Sequence, residues 1–253
     1  MKKSISLFLG FCLMLISAGS AMAQNVLVDT QKSYSNIKAI EVNGGWLDVS
    51  YEGGYSSSVE VTAYLASNDT DQDIIFVTVG DVLKISLERK ASNYSWNNRN
   101  KGYIKITGPE AMQLDFKNSS GTLEISRVSS SQTSLKVSSG KVSASDIKGD
   151  LMVKATSGNL YLNAIAGDVV ADLTSGNADI MDIQGDVEFQ ATSGSLTAEG
   201  VNGKLSASFT SGNAKLANVS ELGTLKFTSG NVRASNSGLG NQTVLEGTSG
   251  NFT

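Results

Sequence analysis

The feature that most constrains this chain is a tripeptide, Ser-Ser-Gly or Thr-Ser-Gly, that returns about every eighteen residues. Its glycines are 18 residues apart in the middle of the array and 19 or 20 apart at its ends: Gly121, Gly140, Gly158, Gly176, Gly194, Gly212, Gly230 and Gly250. A second glycine column lies halfway between them, at Gly149, Gly167, Gly185 and Gly203. A fixed period of this length indicates a repeat architecture, in which each unit buries its apolar face against its neighbours.

Within each unit the apolar residues alternate with polar ones, which is typical of β-strands. We number each unit from the Thr or Ser that opens the tripeptide. Apolar residues then fall at positions 5 and 7 (Leu160 and Leu162 in one unit), at position 10, and at positions 14, 16 and 18. Each unit is therefore predicted to contain two short strands joined at two glycine corners. Stacked units predict an all-β fold, a single-stranded right-handed β-solenoid with coils of about 18 residues.

The predicted interior shows compensation in side-chain volume between neighbouring units. Positions 16 and 18 hold Phe189 and Ala191 in one unit and Ala207 and Phe209 in the next. Exchanging the column that holds the bulky side chain keeps the volume of each layer constant. We therefore expect these columns to form the core of the stack.

The chain before the repeats also has strand patterning, but without a fixed period. Apolar alternation recurs in short segments, and Gly80-Asp81 separates two of them as a hairpin turn would. Residues 24–118 are predicted to form an irregular N-terminal β-cap that covers one end of the stack. Residues 119–253 are predicted to form the solenoid.

The first residues have the pattern of a secretory signal peptide. Lys2 and Lys3 precede an apolar run over residues 5–16, and Ala21-Met22-Ala23 is a small-residue cleavage site. Residues 1–23 are therefore predicted to be a signal peptide, with an N-terminal membrane anchor as the alternative. No second apolar span follows, so we expect an exported protein that is periplasmic, displayed on the cell surface or secreted.

Composition excludes several kinds of chemistry. The chain has no His and one Cys, which excludes Ser-His-Asp triads, imidazole metal sites and disulfide frameworks. A formal net charge of −4 offers no basic footprint for nucleic acid. We expect no cofactor, no metal site and no catalytic residues.

One irregular loop, residues 91–101, carries the candidate contact residues. It holds Tyr94, Trp96 and Arg99 among polar residues, and aromatic side chains beside Asn and Arg suit sugar stacking or a protein contact. The alternative is a loop whose Trp packs back onto the cap.

Three further columns have a structural and a functional interpretation. Asn after the tripeptide, as at Asn159 and Asn177, suits turn chemistry more than a ligand surface. Stacked Gly-Asp pairs such as Gly167-Asp168 could hold Ca²⁺, although the calcium-binding nonapeptide repeat is absent. The Thr column forms a single row, because position 17, two residues before each Thr, is Lys, Asp, Gln, Ser or Glu. An ice-binding Thr-x-Thr face is therefore not expected.

The chain resembles the bacterial putative-adhesin domain of unknown function, which is related to the head-GIN putative auto-transporter adhesins. The resemblance covers residues 34–253 and is carried by Tyr34-x-x-Ile37-x-x-Ile40-x-Val42, Leu83-Lys84-Ile85, the Ile-x-x-Pro stretch at 106–109, and the Ser-Gly-Asn and Gly-Asp units. It implies an exported β-solenoid and brings no catalytic residues with it.

These observations favour a non-enzymatic adhesion or envelope-interaction module that binds a glycan or an envelope or host protein through its repeat faces. One alternative is a periplasmic structural or sensory scaffold with protein partners only, and another is a polysaccharide-active enzyme. The last unit, residues 248–253, has no polar cap, which predicts end-to-end self-association.

Overall fold

The computed structural model describes residues 25–90 and 100–253, which form one twelve-stranded sheet; this part of the chain contains no helix. The prediction of an all-β fold is confirmed. The strands are Asn25–Ser35 (β1), Ala39–Gly45 (β2), Asp48–Gly54 (β3), Ser58–Ser67 (β4), Gln72–Val79 (β5), Val82–Arg89 (β6), Asn100–Pro109 (β7), Gln113–Asn118 (β8), Thr122–Ala166 (β9), Val169–Ile183 (β10), Val187–Ser235 (β11) and Leu239–Phe252 (β12).

The repeat units stack in parallel with an offset of one unit. Val169 in β10 pairs with Leu151 in β9 on one side and with Val187 in β11 on the other. The same offset of eighteen residues holds through β10 to its last residue, Ile183. Each residue of a unit therefore lies directly above its counterpart in the previous unit, about 4.8 Å away.

The strands are much longer than the two short strands predicted for each unit. β9 has 45 residues and β11 has 49, so each runs through more than two units. The reason lies at the glycine corners, where Gly176 pairs with both Gly158 and Gly194. Because identical corners stack in register, the backbone ladder continues through the bend instead of ending there.

The apolar columns form one continuous core from the N-terminal strands to the last unit. Positions 5, 7, 10, 14, 16 and 18 are buried in almost every unit, as the alternation predicts. Phe189 and Phe209, the bulky residues that exchange columns, are 2% and 5% exposed. The polar residues between these positions face outward.

The two glycine columns are required for different reasons. At Gly176, φ is +135° and a Cβ atom would lie 1.8 Å from the carbonyl oxygen of Gly158. In the second column, Gly149 alone among the four members has a positive φ. A Cβ at Gly185 would lie 2.4 Å from the carbonyl oxygen of Gly167, so close approach between units explains this column.

A further column with left-handed backbone conformation was missed by the sequence analysis. It lies at position 9, one residue before the buried aliphatic of position 10. Its members are Arg127, Asp146, Ala164, Asp182, Gly200, Asn218 and Asn236. Asp, Asn and Gly predominate because they tolerate this conformation. Their recurrence at position 9 was the signal available in the sequence.

Parallel stacking continues into the N-terminal region. β2 pairs in parallel with β8, which pairs in parallel with β9, and β3 lies in parallel between β7 and β9. The sheet is thus continuous across residues 118 and 119. The boundary drawn there between cap and solenoid stays a prediction.

Antiparallel strands complete the N-terminal end of the sheet. β4 pairs with β7 and carries β1 on its other edge, while β5 pairs with β6 through the predicted turn at Gly80-Asp81. β1 and β8 were not recognised as strands in the sequence. The antiparallel strands β4 and β5 lie along the outer edges of β7 and β6, and their role as a cap stays a prediction.

Candidate functional site

A long groove crosses the units on the surface of the described residues. We call it the groove and define it by positions 17, 18 and 1 of successive units. It encloses about 1320 Å³ and extends from Asn43 and Lys117 in the N-terminal region to Thr248 in the last unit. Seven unit spacings separate Lys117 from Glu246 along it, which corresponds to about 34 Å.

The local backbone explains why these positions form a groove. Position 18 ends the second apolar run and points inward, whereas positions 17 and 1 on either side point outward. The chain then bends at the glycine of position 3, so the next inward residue is at position 5. The outward residues become two walls, and the side chains of position 18 form the floor.

One wall is a row of hydroxyl groups, all of them exposed: Thr156, Thr174, Thr192, Thr210, Thr228 and Thr248. Hydroxyl groups donate and accept hydrogen bonds and carry no charge. The floor is apolar but shows little surface, since Leu173 is 6% exposed and Phe209 and Phe227 are 5% exposed. A ligand in the groove therefore meets mainly polar groups.

The other wall, position 17, carries the charges. Its ionised members are Lys117, Lys136, Lys154, Asp172, Lys226 and Glu246. Lys154 Nζ lies 3.1 Å from an Asp172 carboxylate oxygen, and Lys226 Nζ lies 2.9 Å from a Glu246 oxygen. Both pairs join neighbouring units and are partly exposed, so each contributes little to stability.

Aromatic rings fill the floor toward the last units. The rings of Phe209 and Phe227 are stacked with centroids 5.7 Å apart, and Phe252 lies 4.7 Å from Phe227 at a tilt. Position 18 of the next unit is Gly247, where a Cβ would lie 2.6 Å from the Phe227 ring. The apolar column therefore breaks at Gly247, because Phe227 and Phe252 occupy that space.

The Asn column beside the groove forms an amide ladder. Asn177 Nδ2 donates to Asn159 Oδ1 over 3.3 Å, and Asn231 Nδ2 donates to Asn213 Oδ1 over 3.2 Å. The bonds run along the stack, as the structural interpretation expects. The left-handed corner conformation belongs to the neighbouring Gly column rather than to these Asn residues.

The Asp column has a structural role as well. Asp168 Oδ1 accepts a hydrogen bond from the Asp186 backbone N–H over 2.8 Å, and Asp150 Oδ1 accepts one from the Asp168 N–H over 3.0 Å. Each carboxylate thus replaces a backbone acceptor where the ladder between β9, β10 and β11 is interrupted. No group of three acidic, His or Cys side chains that could hold a metal ion occurs in residues 25–90 and 100–253.

The predicted contact residues Tyr94, Trp96 and Arg99 lie outside the described residues, so their role stays a prediction. Polar side chains hold Asn100, the first residue of β7 and the next described residue after them. Gln72 Nε2 donates to Ser67 Oγ over 3.3 Å, and Ser67 Oγ donates to Asn100 Oδ1 over 2.7 Å. This network holds the start of β7 against β4 and β5.

A second polar contact holds the end of β6. Desolvation acts to raise the pKa of the Asp69 carboxyl, but the Asp71 N–H and the Arg89 guanidinium outweigh it and lower that pKa. The carboxylate therefore stays ionised and keeps Arg89, the last residue of β6, in place. The two contacts hold the start of β7 and the end of β6 in place, and neither brings together a pair of catalytic side chains.

The fold and the groove together define a class: an all-β protein of stacked units with an elongated, mainly polar binding surface. In the described residues no helix is long and apolar enough to cross a bilayer. The model of the family described as Toastrack DUF4097 matches residues 37–253, and the chain belongs to this family. This match confirms the predicted resemblance to an adhesin-like domain of unknown function. The relation to the head-GIN proteins stays a prediction.

The chain is similar to several solved structures at low sequence identity. A protein described as a putative lipid-binding protein from Parabacteroides distasonis has a TM-score of 0.57 at 16% identity, over 89% of this chain and 96% of that one. Proteins described as putative adhesins come from Bacteroides fragilis (TM-score 0.49, 14% identity) and Parabacteroides merdae (0.45, 13%), with the same coverage. The first likeness shows a common fold. No curated protein matches the chain.

Proposed function

We propose that this protein is exported and acts without catalysis as an adhesion or envelope-interaction module that binds a glycan or a protein through its repeat faces. The observation that carries the proposal is the groove, with its hydroxyl wall, its charged wall and its length of about 34 Å. A surface of this shape fits an extended partner. The right-handed sense of the solenoid, the signal peptide over residues 1–23 and a location in the periplasm, on the surface or outside the cell belong to the same proposal.

A polar partner suits the groove better than a lipid chain. One structural neighbour is described as a putative lipid-binding protein. A lipid chain needs apolar surface, however, and the floor residues Val137, Leu173 and Phe227 are only 4–6% exposed. Hydroxyl groups along the Thr wall instead match the hydroxyl groups of sugars or the peptide groups of an extended protein segment.

The test uses the purified protein on arrays of bacterial and host glycans and on cell-envelope fractions. A groove variant, Thr192→Leu with Thr210→Leu, removes two hydroxyl groups from the exposed wall and adds bulk without changing the charge. Its matched control, Asn163→Leu with Asn202→Leu, introduces the same side chain at exposed positions outside the groove. We expect the groove variant to lose binding and the control to keep it. Equal binding by both variants, or release of sugar from a bound polysaccharide, would contradict the proposal.

A second candidate is a periplasmic scaffold that contacts proteins only. Large apolar side chains on the face formed by positions 6 and 8 favour it, since Tyr161 is 39% exposed and Met181 is 41% exposed. Protease treatment of intact cells separates the two candidates. Digestion is expected for a surface adhesin, whereas protection until the outer membrane is opened favours the scaffold.

A further inference from the structure

The basic residues of the groove are concentrated at one end. Lys117, Lys136 and Lys154 occupy position 17 of three successive layers, and Lys117 pairs directly with Lys136 in the β8–β9 ladder. Neighbouring layers are about 4.8 Å apart, so the three lysines leave the backbone in a row along the groove axis. Beyond Asp172 the wall is uncharged at Gln190 and Ser208.

The carboxylates nearby only partly neutralise this row. Lys154 contacts Asp172 at 3.1 Å, and Lys136 Nζ lies 3.8 Å from Asp115 Oδ1. Within residues 25–90 and 100–253, Lys117 has no ion-pair partner. These pairs also show that a carboxylate fits beside the lysines. Because the pairs are partly exposed, an incoming carboxylate can compete with them at little cost.

The rest of the molecule carries charge of the opposite sign. The chain has a formal net charge of −4, yet its acidic columns lie at positions 9 and 13, away from the groove. Asp146, Asp150, Asp168, Asp182 and Asp186 line neither groove wall. A basic segment in a concave surface of an acidic protein concentrates anions locally.

The length of the groove points to a polymer. Its volume of about 1320 Å³ exceeds the roughly 300–1,000 Å³ of pockets for drug-sized ligands, and its two walls and its floor repeat at each layer. A linear chain can meet equivalent groups in every layer, with its hydroxyl groups on the Thr wall and its acidic groups beside the lysines.

We infer that the groove binds a linear acidic glycan. Lys117, Lys136 and Lys154 hold the carboxylates of its sugars, and the less acidic sugars lie toward Thr228. This inference rests on the proposed function and adds the chemical class of the ligand. It also assigns a direction to the groove, with its anion-binding end at the N-terminal side.

The experiment compares binding of a linear oligogalacturonate of seven units with binding of its methyl ester, which keeps the backbone and removes the charge. The groove variant is Lys117→Gln with Lys136→Gln and Lys154→Gln. The matched control is Lys105→Gln with Lys204→Gln and Lys215→Gln, three exposed lysines outside the groove. Both variants change the net charge equally, so long-range electrostatics is matched.

We expect the protein to bind the acid more tightly than the ester, and the groove variant to lose about tenfold in affinity for the acid while the control changes by less than about threefold. Equal losses in the two variants, or equal affinity for acid and ester, would overturn the inference. If acid and ester bind equally and Thr192→Leu with Thr210→Leu weakens both, the proposed function stands and the acidic preference is wrong. If the protein binds neither probe and nothing on the glycan and envelope arrays, both are wrong.

Discussion

The repeat region and the N-terminal region solve the same problem of burying an apolar sheet face in different ways. In the repeat region the layers stack in register, so each position pairs with the equivalent position of the neighbouring layers. In the N-terminal region, parallel strands are joined by antiparallel ones and by single polar contacts such as Trp46 Nε1 to Gln72 Oε1 at 3.0 Å. The repeat region depends on identity between neighbours, and the N-terminal region depends on contacts that occur once.

The largest expected effect tests how strictly the repeat region requires identical corners. Gly194→Ala places a Cβ 1.9 Å from the Gly176 carbonyl oxygen, at a φ of +147°, and the stacked backbones leave it no room. We expect a loss of more than about 4 kcal/mol in the free energy of unfolding, measured by urea denaturation. Gly54→Ala in the N-terminal region meets no atom within 4 Å and should change it by less than about 0.5 kcal/mol. Similar losses at both sites would refute the comparison.

A core aromatic of the repeat region should come next. Phe209→Ala removes a ring that is 5% exposed and stacked on Phe227, and we expect a loss of about 3–5 kcal/mol. Phe76 in the N-terminal region is only half-buried, so Phe76→Ala should lose clearly less. Thermal and urea unfolding of both variants gives the comparison. A loss below about 1 kcal/mol at Phe209 would mean that the ring is not part of the core.

A contact that occurs once in the N-terminal region should have a smaller effect. The Tyr51 hydroxyl, in a buried side chain, donates a hydrogen bond to the Pro109 carbonyl oxygen. Tyr51→Phe leaves that acceptor without its partner, and we expect a loss of about 1–3 kcal/mol at neutral pH.

The same residue predicts a dependence on alkaline pH. Desolvation by burial raises the pKa of Tyr51 above its ordinary value of about 10. Above that pH the unfolded chain loses its phenolic proton first, so the unfolded state binds fewer protons and the free energy of unfolding falls as pH rises. Tyr51→Phe should reduce this slope between pH 10 and 12. An unchanged slope would place the titrating group elsewhere.

The smallest expected effect lies at the exposed Asp column of the repeat region. Asp168→Ala removes the acceptor for the Asp186 N–H and should lose about 1 kcal/mol, whereas Asp168→Asn keeps an oxygen there and should lose less. The melting temperature is measured with and without Ca²⁺. A rise in Tm with Ca²⁺ that Asp168→Ala abolishes would restore the interpretation of this column as a calcium site.

Much of the repeat region could be predicted because its signals are local and recur. Alternation placed the buried columns, and the compensation between Phe189 and Phe209 placed the core. The N-terminal strands with clear alternation were also predicted, together with the turn at Gly80-Asp81. β1 was missed because it is an edge strand whose residues are mostly exposed, which leaves weak alternation.

The groove could not be predicted, although the columns of residues that line it can be identified in the sequence. In the sequence, position 17 is recognisable only as the residue two before each Thr. Lys136 and Thr156 line the same groove only if the chain bends sharply enough at the glycine of position 3. The angle of that bend cannot be predicted from a sequence pattern.

The sequence by itself determined the strand class, the period of eighteen residues and the buried columns, because side-chain alternation and glycine spacing are properties of the chain alone. Tertiary structure alone decided three things: that the ladder runs through the corners, that the second glycine column serves close approach, and that positions 17, 18 and 1 enclose a groove. Each depends on the distance between backbones of different units, which is set when the units stack.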